Sequence, residues 1–297
     1  MKAMILAAGV GARLRPYSLL RPKPLFPLLD EPLLQLTIRR LRRAGFTAIV
    51  VNTHFLRDQV LALLKDEKGV IIQVEDQLLG TGGGLRQAAP HFAEAPVLVT
   101  NGDIYHTVDL AGVYQRHCAA AAPVTMVVHD YPRFNKVAVD EQLRVTGFGA
   151  TATGSSRLAF TGIQVIDPPA LAFIARAGFA SIIDCYRAWL GQGGTIRAEI
   201  APDCFWTDIG TPADYLALHA GLLMKKVPCW PELDLKRAAG PFYIAPDAVL
   251  GKDVRVTDWV CVGRGARIGA AATLARAVIW AGAAIGAGRE IVDTIVT

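Results

Sequence analysis

From Ile244 to Ile291 the chain repeats itself every six residues, a period that few folds tolerate. Ile244, Leu250, Val256, Val262, Ile268 and Leu274 recur at that spacing, and Ala248, Val254, Val260, Ala266, Ala272 and Val278 follow each by four places. One residue is then dropped, and Ile279, Ile285 and Ile291 resume the period. One aliphatic and one small side chain per hexad is the pattern of a parallel β-helix, each hexad forming one flat side. An alternating sandwich tail would not produce a period of six. Nine hexads give about three coils, whose open ends predict a cap or a homo-oligomer.

The first 110 residues read differently. Lys2–Ala8 is an apolar run of buried-strand length, and Phe46–Asn52, Val70–Val74 and Pro96–Thr100 are further strands. Between them, helices are predicted near 33–44, 56–66 and 83–92. The first carries Leu33, Leu34, Thr37, Ile38 and Leu41 on one face, Arg39, Arg40, Arg42 and Arg43 on the other, and stops at Gly45. Alternating βα units imply a parallel sheet with ligands beyond its carboxyl edge. Strands at 123–129, 136–139, 143–148 and 159–166 follow, with helices near 168–176 and 181–192. Pro212 opens another helix, running to about Lys226. Val227–Pro241, with three prolines, reads as a linker.

The chemistry concentrates at the start. Gly9-Val10-Gly11 breaks the first strand, and Arg13, Arg15, Arg21 and Lys23 follow among Pro16, Pro22 and Pro24. Glycines let backbone N–H groups approach oxygens, and stiffly held cations neutralise them, so the stretch suits a polyphosphate. It is neither a Walker A loop nor a dinucleotide fingerprint, whose third glycine is replaced by Leu14. Leu6-Ala7-Ala8-Gly9-Val10-Gly11-Ala12-Arg13-Leu14-Arg15-Pro16, then Pro22-Lys23-Pro24-Leu25-Phe26-Pro27, resembles the signature of the sugar-phosphate nucleotidyltransferases.

That resemblance implies a Rossmann-like α/β catalytic domain over 1–226 with a mixed, mostly parallel sheet, a linker over 227–242, and a left-handed parallel β-helix over 243–297. It implies transfer of a nucleotidyl group from a nucleoside triphosphate to a sugar 1-phosphate, with Mg2+ as cofactor. Leu6, Ala7, Ala8, Gly9 and Gly11 would contact the nucleotide, and Arg13 its β/γ-phosphates. Lys23 would bridge the α-phosphate and the sugar phosphate. Asp103 of Asn101-Gly102-Asp103 and Asp208 of Trp206-Thr207-Asp208-Ile209-Gly210-Thr211-Pro212 would share the metal. Gly80, Thr81 and Gly82 match the family's base loop. Glu75, five places before Gly80, stands where pyrimidine-specific members usually carry glutamine, and a carboxylate suits the adjacent N–H donors of guanine. GTP is therefore favoured, with a mannose- or heptose-type sugar. A uridylyltransferase acting on an amino-sugar 1-phosphate is the alternative, and a non-catalytic sugar-nucleotide sensor is another. The family's E-K-P lysine is missing. Phe148–Ser156 stands in its place, with Lys136, Arg157 or Arg133 as replacements and Gly162 as the sugar-contacting glycine.

Composition narrows the classes. Hydrophobic residues make up 52% of the chain, yet no apolar run reaches the roughly 18 residues of a membrane helix. Five scattered cysteines without C-x-x-C predict reduced thiols in the cytoplasm and no zinc site. A net charge of +5 concentrated near the glycine turn calls for no nucleic acid, and the arginine row reads as a solvated helix face. All six histidines precede the repeat, which argues against acyl transfer there.

Overall fold

A computed structural model describes residues 1–297 apart from 93–94, 121, 150–151, 175–177 and 236–237. The chain divides into two compact units that do not follow sequence order. Unit 1 comprises Met1–Val10, Arg40–Gly102 and Val108–Cys204; unit 2 comprises Gly11–Arg39, Asp103–Thr107 and Phe205–Thr297.

Unit 1 is built on one mixed sheet. Strands β1 (Lys2–Leu6), β2 (Ala48–Thr53), β3 (Val70–Val74) and β4 (Val97–Asn101) pair in parallel in the order β4-β1-β2-β3. Buried runs such as Ala3-Met4-Ile5 and Val97-Leu98-Val99 explain why these strands sit inside. The second half adds β5 (Val124–His129), β6 (Asn135–Val139), β7 (Val145–Phe148), β8 (Ser156–Ile166) and β9 (Arg197–Ile200). Long β8 runs antiparallel to β4, β5 and β6, so the sheet stops being parallel there. The register puts Leu6, Asn52 and Asn101 side by side at the carboxyl edge of β1, β2 and β4.

Of helices α1 (Leu33–Arg43), α2 (Arg57–Leu64), α3 (Gly80–Ala88), α4 (Leu110–Ala120) and α5 (Ile182–Gly191), all but α4 fall close to the expected places; α4 lies in a stretch for which the sequence patterns predict no element. The third begins three residues earlier than its pattern suggests, inside the glycine run. The helix expected near 168–176 is a 3-10 turn over Pro168–Phe173, and 175–176 lie outside the described residues. The arginine row of α1 is not simply solvated. Arg39 pairs with Glu31, Arg40 donates to the Val108 carbonyl at 3.0 Å, and Arg42 meets Glu67 at 2.7 Å.

In unit 2, α6 (Pro212–Leu223) starts at Thr211, whose Oγ1 accepts from the Asp214 N–H at 3.2 Å. Its buried Tyr215, Leu218 and Leu222 share an apolar cluster with Phe26, Trp230 and Trp280. The stretch expected as a linker is partly core: Trp230 is buried, stacks on Tyr105 at 4.3 Å and donates from Nε1 to the His106 carbonyl at 2.5 Å. Lys236 and Arg237 of that stretch lie outside the described residues.

The six-residue period becomes two sets of parallel strands. Strands β10 (Phe242–Ile244), β12 (Arg255–Val262), β14 (Thr273–Ile279) and β16 (Glu290–Val296) pair in sequence, as do β11 (Val249–Leu250), β13 (Arg267–Ile268) and β15 (Ala284–Ile285). Partners such as Val256 and Leu274, or Val262 and Ile279, are three hexads apart, give or take the dropped residue. The irregularity lies between Thr257 and Val260, after which Val260 opposes Ala277. Ala277 therefore takes the small interior position, and Val278, expected there, joins Cys261 in the cluster beneath α6. A one-residue slip turns a strand's side chains to the opposite face.

Candidate active site

In unit 1 the site is a set of backbone turns at the sheet's carboxyl edge. Gly102 N–H donates to the Leu6 carbonyl at 2.9 Å, joining the N-G-D motif to the end of β1. Ala7 N–H donates to Asn52 Oδ1 at 2.8 Å. Ala7 and Ala8 are buried, whereas Gly9 is exposed. The Gly82 and Gly83 N–H groups converge on the Ala180 carbonyl at 2.8 and 3.2 Å, and Ile182 N–H donates to Thr81 Oγ1 at 2.9 Å. The glycine loop is therefore held by a segment, 180–182, that its own sequence does not announce. Gly162 (φ +80°) lies against Asn101, and a Cβ there would come 2.6 Å from the Asn101 amide, so only glycine fits.

Glu75, expected to face the base, turns its carboxylate inward. It is 1% exposed; Oε1 accepts from Asn52 Nδ2 at 2.7 Å and Oε2 from Leu79 N–H at 3.0 Å. Asn52, equally buried, escaped the sequence reading altogether. An asparagine closing a buried strand was the available signal.

In unit 2 the four residues expected to carry the chemistry form two ion pairs. Arg13 Nη2 lies 3.4 Å from Asp208 Oδ2, and Lys23 Nζ contacts Asp103 Oδ2. The geometry is built from short pieces. Leu14 is fully buried and anchors the 3-10 turn that presents Arg13. Trp206–Asp208 pairs antiparallel with Ile104–His106, and Ile209 N–H donates to the Asp103 carbonyl at 3.0 Å, which keeps the two acids adjacent. Burial raises the Asp208 pKa; Lys23 opposes that shift, while the Asp103 and Asp214 carboxylates add to it. Arg21 departs from the phosphate row and lies over the Trp280 ring, 4.7 Å from its centroid.

Two neighbouring carboxylates fit Mg2+, which takes one or two protein acids and completes its octahedron with phosphate oxygens and water. Among the described residues no group of three or more His, Cys, Asp or Glu is placed to hold a metal ion.

The replacements for the missing lysine differ. Arg157 donates to the Gly149 carbonyl at 2.8 Å and the Ala152 carbonyl at 2.6 Å, closing its own loop. Lys136 is exposed on β6, and the Arg133 guanidinium lies 4.9 Å from the Phe134 ring centroid. Ala150 and Thr151 of the same segment lie outside the described residues.

A glycine turn on a parallel-sheet edge, with paired cations and acids following it in the chain, defines an enzyme of phosphate-ester chemistry. More narrowly, the chain belongs to the nucleotidyl transferase family, whose model matches residues 2–225. A mannose-1-phosphate guanylyltransferase of Mycobacterium tuberculosis is 29% identical over 96% of this chain and 81% of its own. An N-acetylmuramate α-1-phosphate uridylyltransferase of Neisseria meningitidis is 31% identical over 71% of this chain and 94% of its own. Among solved structures, HddC from Yersinia pseudotuberculosis shares the fold with a TM-score of 0.60, at 22% identity over 73% of this chain and 96% of its own. No helix among the described residues is long and apolar enough to cross a membrane.

Proposed function

We propose that the chain transfers the nucleotidyl group of GTP to a mannose- or heptose-type sugar 1-phosphate, giving an NDP-sugar and pyrophosphate. The observation that carries this reading is the match to the Mycobacterium guanylyltransferase, whose 96% coverage is too long to leave out the repeat. The Neisseria uridylyltransferase, the more identical of the two over a shorter span, favours a second reading with UTP and an amino-sugar 1-phosphate.

In either case an oxygen of the sugar phosphate attacks the α-phosphorus, a new P–O bond forms, and the α–β bridging bond breaks with its electron pair leaving on pyrophosphate. The attacking group is already an anion, so no general base is needed and catalysis is positioning plus charge neutralisation. Arg13 binds the β/γ-phosphates, and Lys23 bridges the α-phosphate and the incoming sugar phosphate. Asp103 and Asp208 are the residues that would hold Mg2+, whose contribution there would be to neutralise charge on the phosphate oxygens. Lys136 stands in for the missing lysine, because Arg157 is tied to its own loop. The repeat forms a left-handed β-helix over 243–297, joined by 227–242 to a catalytic region over 1–226. The enzyme works in the cytoplasm as a homo-oligomer.

Pyrophosphate release, measured for four nucleoside triphosphates against a panel of sugar 1-phosphates, tests the reading. Turnover with GTP and a mannose- or heptose-type sugar is expected. Turnover with UTP and an amino sugar alone would replace it by the second reading.

A further inference from the structure

We infer that Asn52 and Glu75 form a buried relay that positions the glycine turn and the base loop, and that Glu75 acts through this relay rather than by touching the base. The relay has three links, all within unit 1. Ala7 N–H donates to Asn52 Oδ1 at 2.8 Å, Asn52 Nδ2 donates to Glu75 Oε1 at 2.7 Å, and Leu79 N–H donates to Glu75 Oε2 at 3.0 Å. One end holds the turn after β1; the other holds the residue that opens α3 and its glycines.

Three observations make this a built device. Asn52 and Glu75 are 2% and 1% exposed, so neither is placed there by solvent. The Glu75 backbone is also pinned, its N–H to the Thr53 carbonyl at 2.8 Å and its carbonyl to His54 Nδ1 at 2.9 Å. Gly84 lies directly on the pair: a Cβ there would come 2.7 Å from both Asn52 Nδ2 and Glu75 Oε1, so the helix can approach only as glycine. Both carboxylate oxygens thus face protein donors. Buried polar groups are kept only where such partners are complete.

The links can be reversed without changing their shape. Glu75→Gln alone sets an amide N–H2 against Asn52 Nδ2 or Leu79 N–H, and Asn52→Asp alone sets two carboxylates together. In the double variant N52D/E75Q the aspartate accepts from Ala7 N–H and from the new amide, whose oxygen accepts from Leu79 N–H. All three links return.

The kinetic arm rests on the nucleotidyl-transfer reading; an exchange arm does not. E75Q should lower kcat/KM by ~10-fold to ~100-fold for every triphosphate by the same factor, as displaced elements do. It should also lose hydrogen-exchange protection at the Ala7 and Leu79 amides. N52D/E75Q should restore protection and bring kcat/KM to within about threefold of the starting enzyme with its base preference unchanged. A base preference that shifts in E75Q and stays shifted in N52D/E75Q would show that Glu75 reads the base and would overturn the relay. So would failure of the double variant to regain amide protection. An enzyme silent on all triphosphates would count against the activity alone, with the exchange measurement still deciding the relay.

Discussion

Each cation proposed to hold phosphate already has an acid for a partner, Arg13 with Asp208 and Lys23 with Asp103. On the proposed reading Mg2+ would take the carboxylates and polyphosphate the cations, so substrate binding would exchange the partners within these pairs. Asp103→Asn should therefore fold normally and lose at least ~100-fold in kcat. It should also bind metal-free GTP roughly twofold to fivefold more tightly, because Lys23 is released. Calorimetry in chelator checks the second effect, and weaker metal-free binding would contradict it. Asp208 has a second consequence. Its pKa is raised, so its neutral form is the one favoured on folding; stability is greatest at low pH and declines as pH rises through the folded value. Asp208→Asn should raise the thermal midpoint at neutral pH by a few degrees and abolish turnover, and the gain should shrink as pH falls to the ordinary aspartate range.

At the scale of elements, α6 holds the turn after the P-K-P segment through one buried histidine. His219 Nε2 accepts from Leu29 N–H at 3.1 Å and its Nδ1 lies 3.0 Å from the Tyr215 carbonyl. Burial lowers its pKa to about 4, so stability is full above the ordinary histidine value of ~6.5 and is lost as pH falls towards 4. That loss is on the order of 3 kcal/mol. Denaturation across this window should show it, and His219→Gln should flatten the profile. Most elements were legible because their patterns are local: apolar runs for β1 to β4, a glycine stop for α1, a capped proline start for α6. What stayed hidden was set by partners distant in sequence. The Ala180 carbonyl draws the start of α3 back into the glycine run. The exchange of Val278 for Ala277 follows from an irregularity near Asp258, one turn away, which hexad counting does not register.

For the whole molecule, the sequence shows a catalytic region followed by a repeat, whereas packing groups Gly11–Arg39, Asp103–Thr107 and the last ninety-odd residues into one unit. Periodicity cannot register such a grouping, because it arises from aromatic side chains such as Trp230, Tyr105 and Phe26 meeting across long separations. The charged residues of the site were legible for the opposite reason: fixed motifs deliver Arg13, Lys23, Asp103 and Asp208, and the structure brings them together as pairs. Glu75 was legible as a residue but not in its orientation, which depends on an asparagine twenty-three places earlier. The central claim is nucleotidyl transfer to a sugar 1-phosphate, and phosphorus NMR of one reaction mixture tests it most directly. With GTP, mannose 1-phosphate and Mg2+, the signals of both substrates should fall together as a diphosphate ester and pyrophosphate appear in equal amounts. Release of orthophosphate with the sugar phosphate untouched would contradict the account.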